Sequence, residues 1–286
     1  PINSPADELT YSPNPSPEGW PSTEPLAEVA LLASSRDDAR GLPHLYTVLR
    51  RPMTTTLRGY VLDREEEPLS GATVRIVGHS PDGAERLVTT DAAGSFTLAV
   101  APDTEYVLLA GKQDYLNQFV RLSTDPQKEQ SEVYTVEFFL ASRIRPEALR
   151  EVYYAFDRAE LLPESAPALQ TLYQLLTDNP EVKIRLTAHT DRRGRESYNW
   201  RLSQRRAESV VRYLIGRGIA PERLEAVGQG SREPYIVSKH IARLHPFLHE
   251  GTVLSPSFIA GLSDPTEQEV CDQLNRRTAF EVLPKP

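Results

Sequence analysis

Residues 187–219 read TAHTDRRGRESYNWRLSQRRAESVVRYLIGRGI. They follow on from an alternating run, residues 182–189 (VKIRLTAH), which predicts a strand ending at His189. A polar turn comes next, with Asp191 just past the strand and Gly194 in the loop. Residues 196–217 then predict a long helix, with Leu202, Val210, Val211 and Leu214 on one side and Gly218 as its stop. On that helix Asn199, Leu202, Ser203 and Arg206 are spaced i, i+3, i+4, i+7 and share a face. Asp191 stands at the mouth of the preceding turn, so one carboxylate and one guanidinium can face the same small volume. A free amino-acid end, with an ammonium and a carboxylate on one carbon, suits that pair: the ammonium goes to Asp191 and the carboxylate to a bidentate Arg206. A structural ion pair between Asp191 and Arg206 satisfies the same spacing, and the spacing leaves both readings open.

The flanking sequence continues a mixed α/β pattern. Residues 151–156 (EVYYAF) predict a strand, and residues 163–177 a helix with apolar Ala166, Leu169, Leu172, Tyr173 and Leu176. Residues 224–227 and 279–283 predict two more strands. The result is a βαβαβ-β order with helices packed on a mixed sheet. An insert of more than forty residues, 231–274, separates the last two strands. It holds His240, His245 and His249, and the last two are four apart, a spacing that zinc ligands use. No Glu follows the first of them in the H-E-x-x-H manner, so solvated or packed histidines are the favoured reading and no metal is expected. Cys271 reads as a packed thiol. No G-x-S-x-G or G-x-x-x-x-G-K-[ST] motif is present.

Residues 56–141 change to all-β, with short runs at 57–62, 73–77, 86–90, 95–100, 106–110, 119–122 and 133–140. Turn chemistry separates them: Pro68 and Gly71, residues 80–84 (SPDGA) and residues 91–94 (DAAG). The spacing predicts a small β-sandwich that folds alone. Ahead of it, residues 1–25 hold seven of the 24 prolines and read as a linker, and residues 28–33 and 44–49 as two strands.

The chain has 286 residues, 39% hydrophobic and 25% charged, enough for about two domains of ordinary size. No apolar run approaches the roughly 20 residues of a bilayer span. One cysteine excludes a disulfide scaffold. The start at Pro1, with no signal pattern, reads as processed or as a piece of something longer. Net charge is −8, which argues against nucleic acid as a partner. Yet residues 185–232 hold eleven Arg, no Lys and five acids, an island of +6 that leaves −14 for the rest. An Arg-only island in an acidic chain suits carboxylate or phosphate groups.

Three stretches resemble known families. Residues 151–283 resemble the OmpA-like C-terminal domain through YYAFDRAELLPES, the HTDRRG…YNWRLSQRRAESVVRYL core, RLEAVGQGSREP (223–234) and NRRTAFEV (275–282). Residues 56–141 resemble the carboxypeptidase-regulatory-like domain, a transthyretin-like sandwich, through Gly59, Val61, Pro68, Leu69, Gly71, Ala72, Val74, Thr90, Gly94 and Phe96. Residues 3–48 resemble one blade of a WD40-like (PD40) propeller, through NSPADEL, SPEG, ASSRDDARG and LYTV. The implied fold is multidomain: an all-β transthyretin-like sandwich followed by an OmpA-like α/β sandwich. The implied domains are a partial blade or Pro-rich linker at 1–52, the sandwich at 56–141, and a peptidoglycan-binding domain at 147–286.

The OmpA resemblance implies non-catalytic binding of the peptidoglycan stem peptide through diaminopimelate. Asp191 would meet the ammonium and Arg206, the Arg preceding Ala207, the carboxylate. Phe156 and Asp157 would form a wall. Thr190, Asn199, Leu202 and Ser203 would line the pocket, with Arg276 nearby. No cofactor is implied. The domain order resembles wall-binding components of the type IX secretion machinery of Bacteroidetes, which implies outer-membrane or secretion-complex partners and a site facing the periplasm. Two other readings remain: a peptidoglycan-acting enzyme using Asp157 and Asp191 as acid and base, and a structural adaptor with an inactive pocket.

Overall fold

The structure is a computed structural model and describes residues 8–14, 28–34, 44–50, 53–78, 85–126, 131–155 and 157–284. Phe156, the turn at 80–84 and most of the propeller-like motifs lie outside the described residues. The chain divides into two compact units, one of residues 1–57, 98–103 and 125–134, the other of residues 58–97, 104–124 and 135–286.

The first unit contains an antiparallel meander of β1 (Glu8–Asn14), β2 (Glu28–Ser34) and β3 (His44–Arg50), in that order. The Pro-rich stretch read as a linker thus carries a strand. Pro13 pairs opposite Ala30 on the outer strand of the meander, where a missing N–H is tolerated.

Two sheets follow. One has the order β10 (Glu132–Leu140), β4 (Thr55–Asp63), β7 (Ser95–Val100), and these three strands each belong partly to both units. The other lies in the second unit and has the order β6 (Glu85–Thr89), β5 (Thr73–Gly78), β8 (Glu105–Gly111), β9 (Gln118–Ser123). Its central strands bury alternate residues, Val74 and Ile76 on β5, Leu108 and Ala110 on β8.

The C-terminal sheet has the order β11 (Glu147–Leu149), β14 (Thr278–Val282), β12 (Ile184–His189), β13 (Leu224–Gly230). β12 runs parallel to β13 and antiparallel to β14, a mixed sheet. The described part of the expected 151–156 strand, residues 151–155, is not a strand. Glu151 adopts φ 63° and ends the extended run, leaving one isolated bridge between Tyr154 and Leu161, while the pairing with β14 is made by β11. Helices α1 (Ala166–Asp178) and α2 (Glu196–Gly216) cover one sheet face. Leu169, Leu172 and Leu176 of α1, Ile184 and Leu186 of β12, Val210 and Leu214 of α2 and Phe280 of β14 form one core.

Leu116 and Ala141, from the β-rich domain and its exit, are fully buried in that same core. Asn179, 1% exposed at the end of α1, donates to Asn117 O (2.9 Å) and accepts from Asn117 N (3.0 Å). The expected self-contained sandwich therefore shares its interior with the α/β domain.

The insert has a small core of its own, Val237, Leu248, Leu254, Ile259 and Cys271, under α3 (Lys239–Leu244), α4 (Pro256–Ala260) and α5 (Pro265–Asn275). Burial holds the Cys271 thiol pKa up, as a packed thiol requires. The α3 helix ends before His245, so His245 and His249 share no helical face, and no group of metal-ligating side chains occurs among the described residues. No helix among the described residues is long and apolar enough to cross a membrane.

Candidate functional site

The loop between β12 and α2 is tied down at both ends. His189 N donates to Arg277 O (2.8 Å), and Thr190 N to Gly230 O (2.8 Å). Gly194 takes φ 91°, a conformation that favours glycine, and the reversal it allows brings Arg193 O to the Asn199 side-chain amide at 2.8 Å. The α2 helix then lies against β13 at unusually short range. A Cβ on Gly228 would stand 2.3 Å from Gln204 N, which explains a glycine there.

These contacts assign several expected pocket residues to internal bonds. Asn199 is 4% exposed and holds the loop. Ser203 is fully buried, donating to Trp200 O (2.9 Å) and accepting from Gly230 N (2.8 Å). Leu202 is buried, and Thr190, also buried, donates to Asp191 O (3.1 Å). None of these four lines the groove on which Arg206 opens. Asp157, exposed and at φ 57°, accepts from the Tyr198 hydroxyl at 2.7 Å.

The charged groups pair differently from the spacing argument. Asp191 is bound by Arg276 (2.5 Å), eighty-five residues away, and also accepts from Arg193 N (2.9 Å). Arg276 also reaches Glu269 (2.6 Å), and although burial works against it, the Glu269 and Asp191 carboxylates hold its pKa above the ordinary guanidinium value. Arg193 bonds Glu269 (2.5 Å) and Asp272 (3.1 Å), and Arg192 bonds Asp272 (3.2 Å) and Gln268 (3.1 Å). Helix α5 of the insert thus clamps the loop through its acids.

Arg206 sits outside that network. Its Nε donates to Arg158 O (3.0 Å), and its guanidinium lies 4.9 Å from the centre of the Tyr154 ring. Among the described residues no carboxylate is in ion-pair contact with it. Burial lowers its pKa, while Tyr154, Asp157, Asp191 and Arg276 all act on its charge, which brings the predicted pair into one electrostatic neighbourhood. Tyr154 is itself pushed up to about 12 by burial, with its hydroxyl on Thr278 Oγ1 (2.8 Å).

Arg206 and Arg276 open on a groove of about 520 Å³, which Tyr153, Glu164, Gln273 and Arg277 also line. The sequence argument missed these last four; the Arg-Arg pair at 276–277 and the Tyr-Tyr pair at 153–154 were the available signals. Arg277 is lowered to about 10 by burial, and His189 to about 3 by burial and the Arg277 charge, so the imidazole at the groove is neutral at physiological pH. A larger cavity of about 860 Å³ lies over the sheet face that carries Arg185, Thr187 and Glu281. There Arg185 is already paired with Glu225 (3.1 Å) and Glu281 (2.7 Å). The smaller groove therefore has the stronger claim on an anionic ligand.

Comparison with known proteins bears on the two domains separately. Residues 153–243 match the OmpA family, and residues 56–137 the carboxypeptidase regulatory-like domain. Outer membrane protein A of Escherichia fergusonii is 39% identical over 105 residues, 36% of this chain and 40% of that protein. Outer membrane protein P5 of Haemophilus influenzae is 33% identical over 84 residues, 29% of this chain and 24% of that protein. The chain thus spans less than half the length of these curated relatives. Among solved structures, the peptidoglycan-associated lipoprotein from Burkholderia pseudomallei is 26% identical, with a TM-score of 0.34 over 48% of this chain and 90% of that one. Residues 56–137 are therefore a carboxypeptidase regulatory-like domain and residues 153–243 belong to an OmpA-like domain.

Proposed function

We propose that the OmpA-like domain binds the peptide stem of peptidoglycan without turnover and anchors an outer-membrane-associated assembly to the cell wall from the periplasmic side. The observation that carries this reading is Arg206: a half-buried guanidinium on an open groove, stacked on Tyr154 and with no carboxylate partner among the described residues. An acidic ligand group supplies the missing partner at little cost, because the site is already partly desolvated. Asp191 keeps lone pairs free beside its bonds from Arg276 and Arg193, and these accept an ammonium. Together they select a zwitterionic amino-acid end, and in a bacterial wall diaminopimelate supplies one. The match of residues 153–243 to the OmpA family supports the domain assignment. Asp191 is committed to Arg276, which suits a binding group better than a proton shuttle.

The order of an N-terminal β-meander, taken as a partial propeller blade, then the carboxypeptidase regulatory-like and OmpA-like domains further supports a place in a type IX secretion complex. Co-sedimentation with purified sacculi tests the core of the proposal. The wild-type chain pellets with intact sacculi and releases no muropeptides; folded Arg206→Ala and Asp191→Ala each stay in the supernatant. Pelleting of both variants like the wild type would refute it.

A further inference from the structure

The groove is larger than one amino-acid end requires, and its lining includes groups unlike the arginines. Tyr153 is 50% exposed there, beside Leu162 at 36%. Its ring is not held by burial, yet its backbone is tightly fixed. Tyr153 N donates to Ser165 Oγ (2.8 Å), Ser165 Oγ donates back to Tyr153 O (2.9 Å), and Leu162 N donates to the same carbonyl (3.0 Å). Ser165 is itself fully buried, so the turn that presents the ring is anchored in the interior. Glu164 and Gln273 line the groove alongside the ring.

An exposed aromatic face on a fixed backbone, flanked by a carboxylate and an amide, is chemistry for a sugar ring. The C–H face of a pyranose carries partial positive charge and packs on the negative face of the ring, while hydroxyl and acetamido groups find hydrogen-bond partners at the rim. A second anionic group would gain little from this wall, which offers a carboxylate of its own in Glu164. An apolar side chain would use the ring but not the amide and the carboxylate beside it.

We propose that Tyr153, with Glu164 and Gln273, forms a sugar subsite that takes an N-acetylhexosamine ring of the glycan strand, next to the peptide held at Arg206. This rests on the peptide-binding reading above and extends it from stem peptide to glycan-linked stem. The aromatic ring supplies the stacking surface, and its hydroxyl is not required.

Isothermal titration of the full chain with two probes tests this: a diaminopimelate-ending tripeptide, and the same tripeptide carried on its N-acetylglucosaminyl-N-acetylmuramyl disaccharide. The wild type binds the disaccharide probe about tenfold more tightly. Tyr153→Ala abolishes the tenfold ratio between the two probes, while a thermal unfolding midpoint like the wild type's shows that the variant is folded. Tyr153→Phe keeps the tenfold gain. Equal wild-type affinities for the two probes, or an equal loss of both in Tyr153→Ala, would overturn the sugar subsite while the peptide reading stands. Failure of both probes to bind the wild type would overturn the peptide reading and this inference with it.

Discussion

Asp191 and Arg206 carry unequal burdens in the proposed site. Asp191 is neutralised internally by Arg276, whereas among the described residues Arg206 contacts a carbonyl and an aromatic face and no carboxylate. Loss of Arg206 therefore costs the ligand its main charged bond, about 1.5–3 kcal/mol or at least tenfold in affinity, with little change in stability. Arg206→Lys recovers only part of this, because an ammonium lacks the planar fork. Titration calorimetry beside thermal unfolding separates the two effects. His189 makes a second, independent statement. Its folded pKa, about 3, lies below the ordinary value of 6.5, because the fold stabilises the neutral ring. The stability this confers is present above pH 6.5 and is lost as pH falls from there toward 3, at about 1.4 kcal/mol per pH unit for one proton taken up on unfolding. His189→Gln, which keeps an amide near the hydrogen bond to the Glu233 backbone, removes that proton from the pH slope of urea-unfolding free energies. An unchanged slope would contradict the assignment.

Helix α2 and strand β12 were legible because their periods are strong: the apolar spacing of 196–217 and the alternation of 182–189 leave few other structures. The failures are also physical. A strand was expected at 151–156, but Glu151 turns the backbone and the paired segment is the neighbouring Glu147–Leu149. The Asp191–Arg276 pair joins two loops that only the sheet order brings together, and no local pattern encodes it. The insert helices were not read, although α4 and α5 begin at Ser255-Pro256 and Asp264-Pro265, capping residues followed by proline, and both caps are formed. At this scale the α5 clamp makes a prediction. Asp272 is fully buried and bonds Arg192 and Arg193, so Asp272→Ala destabilises by about 2–3 kcal/mol in urea unfolding, moderated by the partial exposure of Arg192 and Arg193, and weakens ligand binding by loosening the loop. Gly228→Ala, whose Cβ meets the α2 backbone, costs about 3 kcal/mol by the same assay. A loss under 1 kcal/mol in either variant would show that the contact relaxes freely.

Within the second unit, the β-rich and α/β regions behave as one folded body. Leu116 sits in the α/β core, Asn117 and Asn179 exchange hydrogen bonds, and Glu67 meets Lys239 (3.1 Å) and Arg243 (2.9 Å) of the insert. The exposed ion pairs contribute little, whereas the buried amide and leucine contribute most. Asn179→Ala therefore costs about 2–3 kcal/mol and splits a single calorimetric transition of this unit into two. The shared core is the mount on which the groove sits in this unit. The central claim, that this mount ends in a site for a zwitterionic amino-acid end rather than a charged patch, meets its most direct test in competition for sacculi at low and high salt. A charge patch is screened over about 8 Å at physiological salt, while a partly buried pair is screened far less. Binding that persists in high salt and is competed by a stem peptide with a free diaminopimelate carboxylate, but not by its amidated form, is the predicted result. Binding that disappears with salt and ignores both peptides would contradict the account.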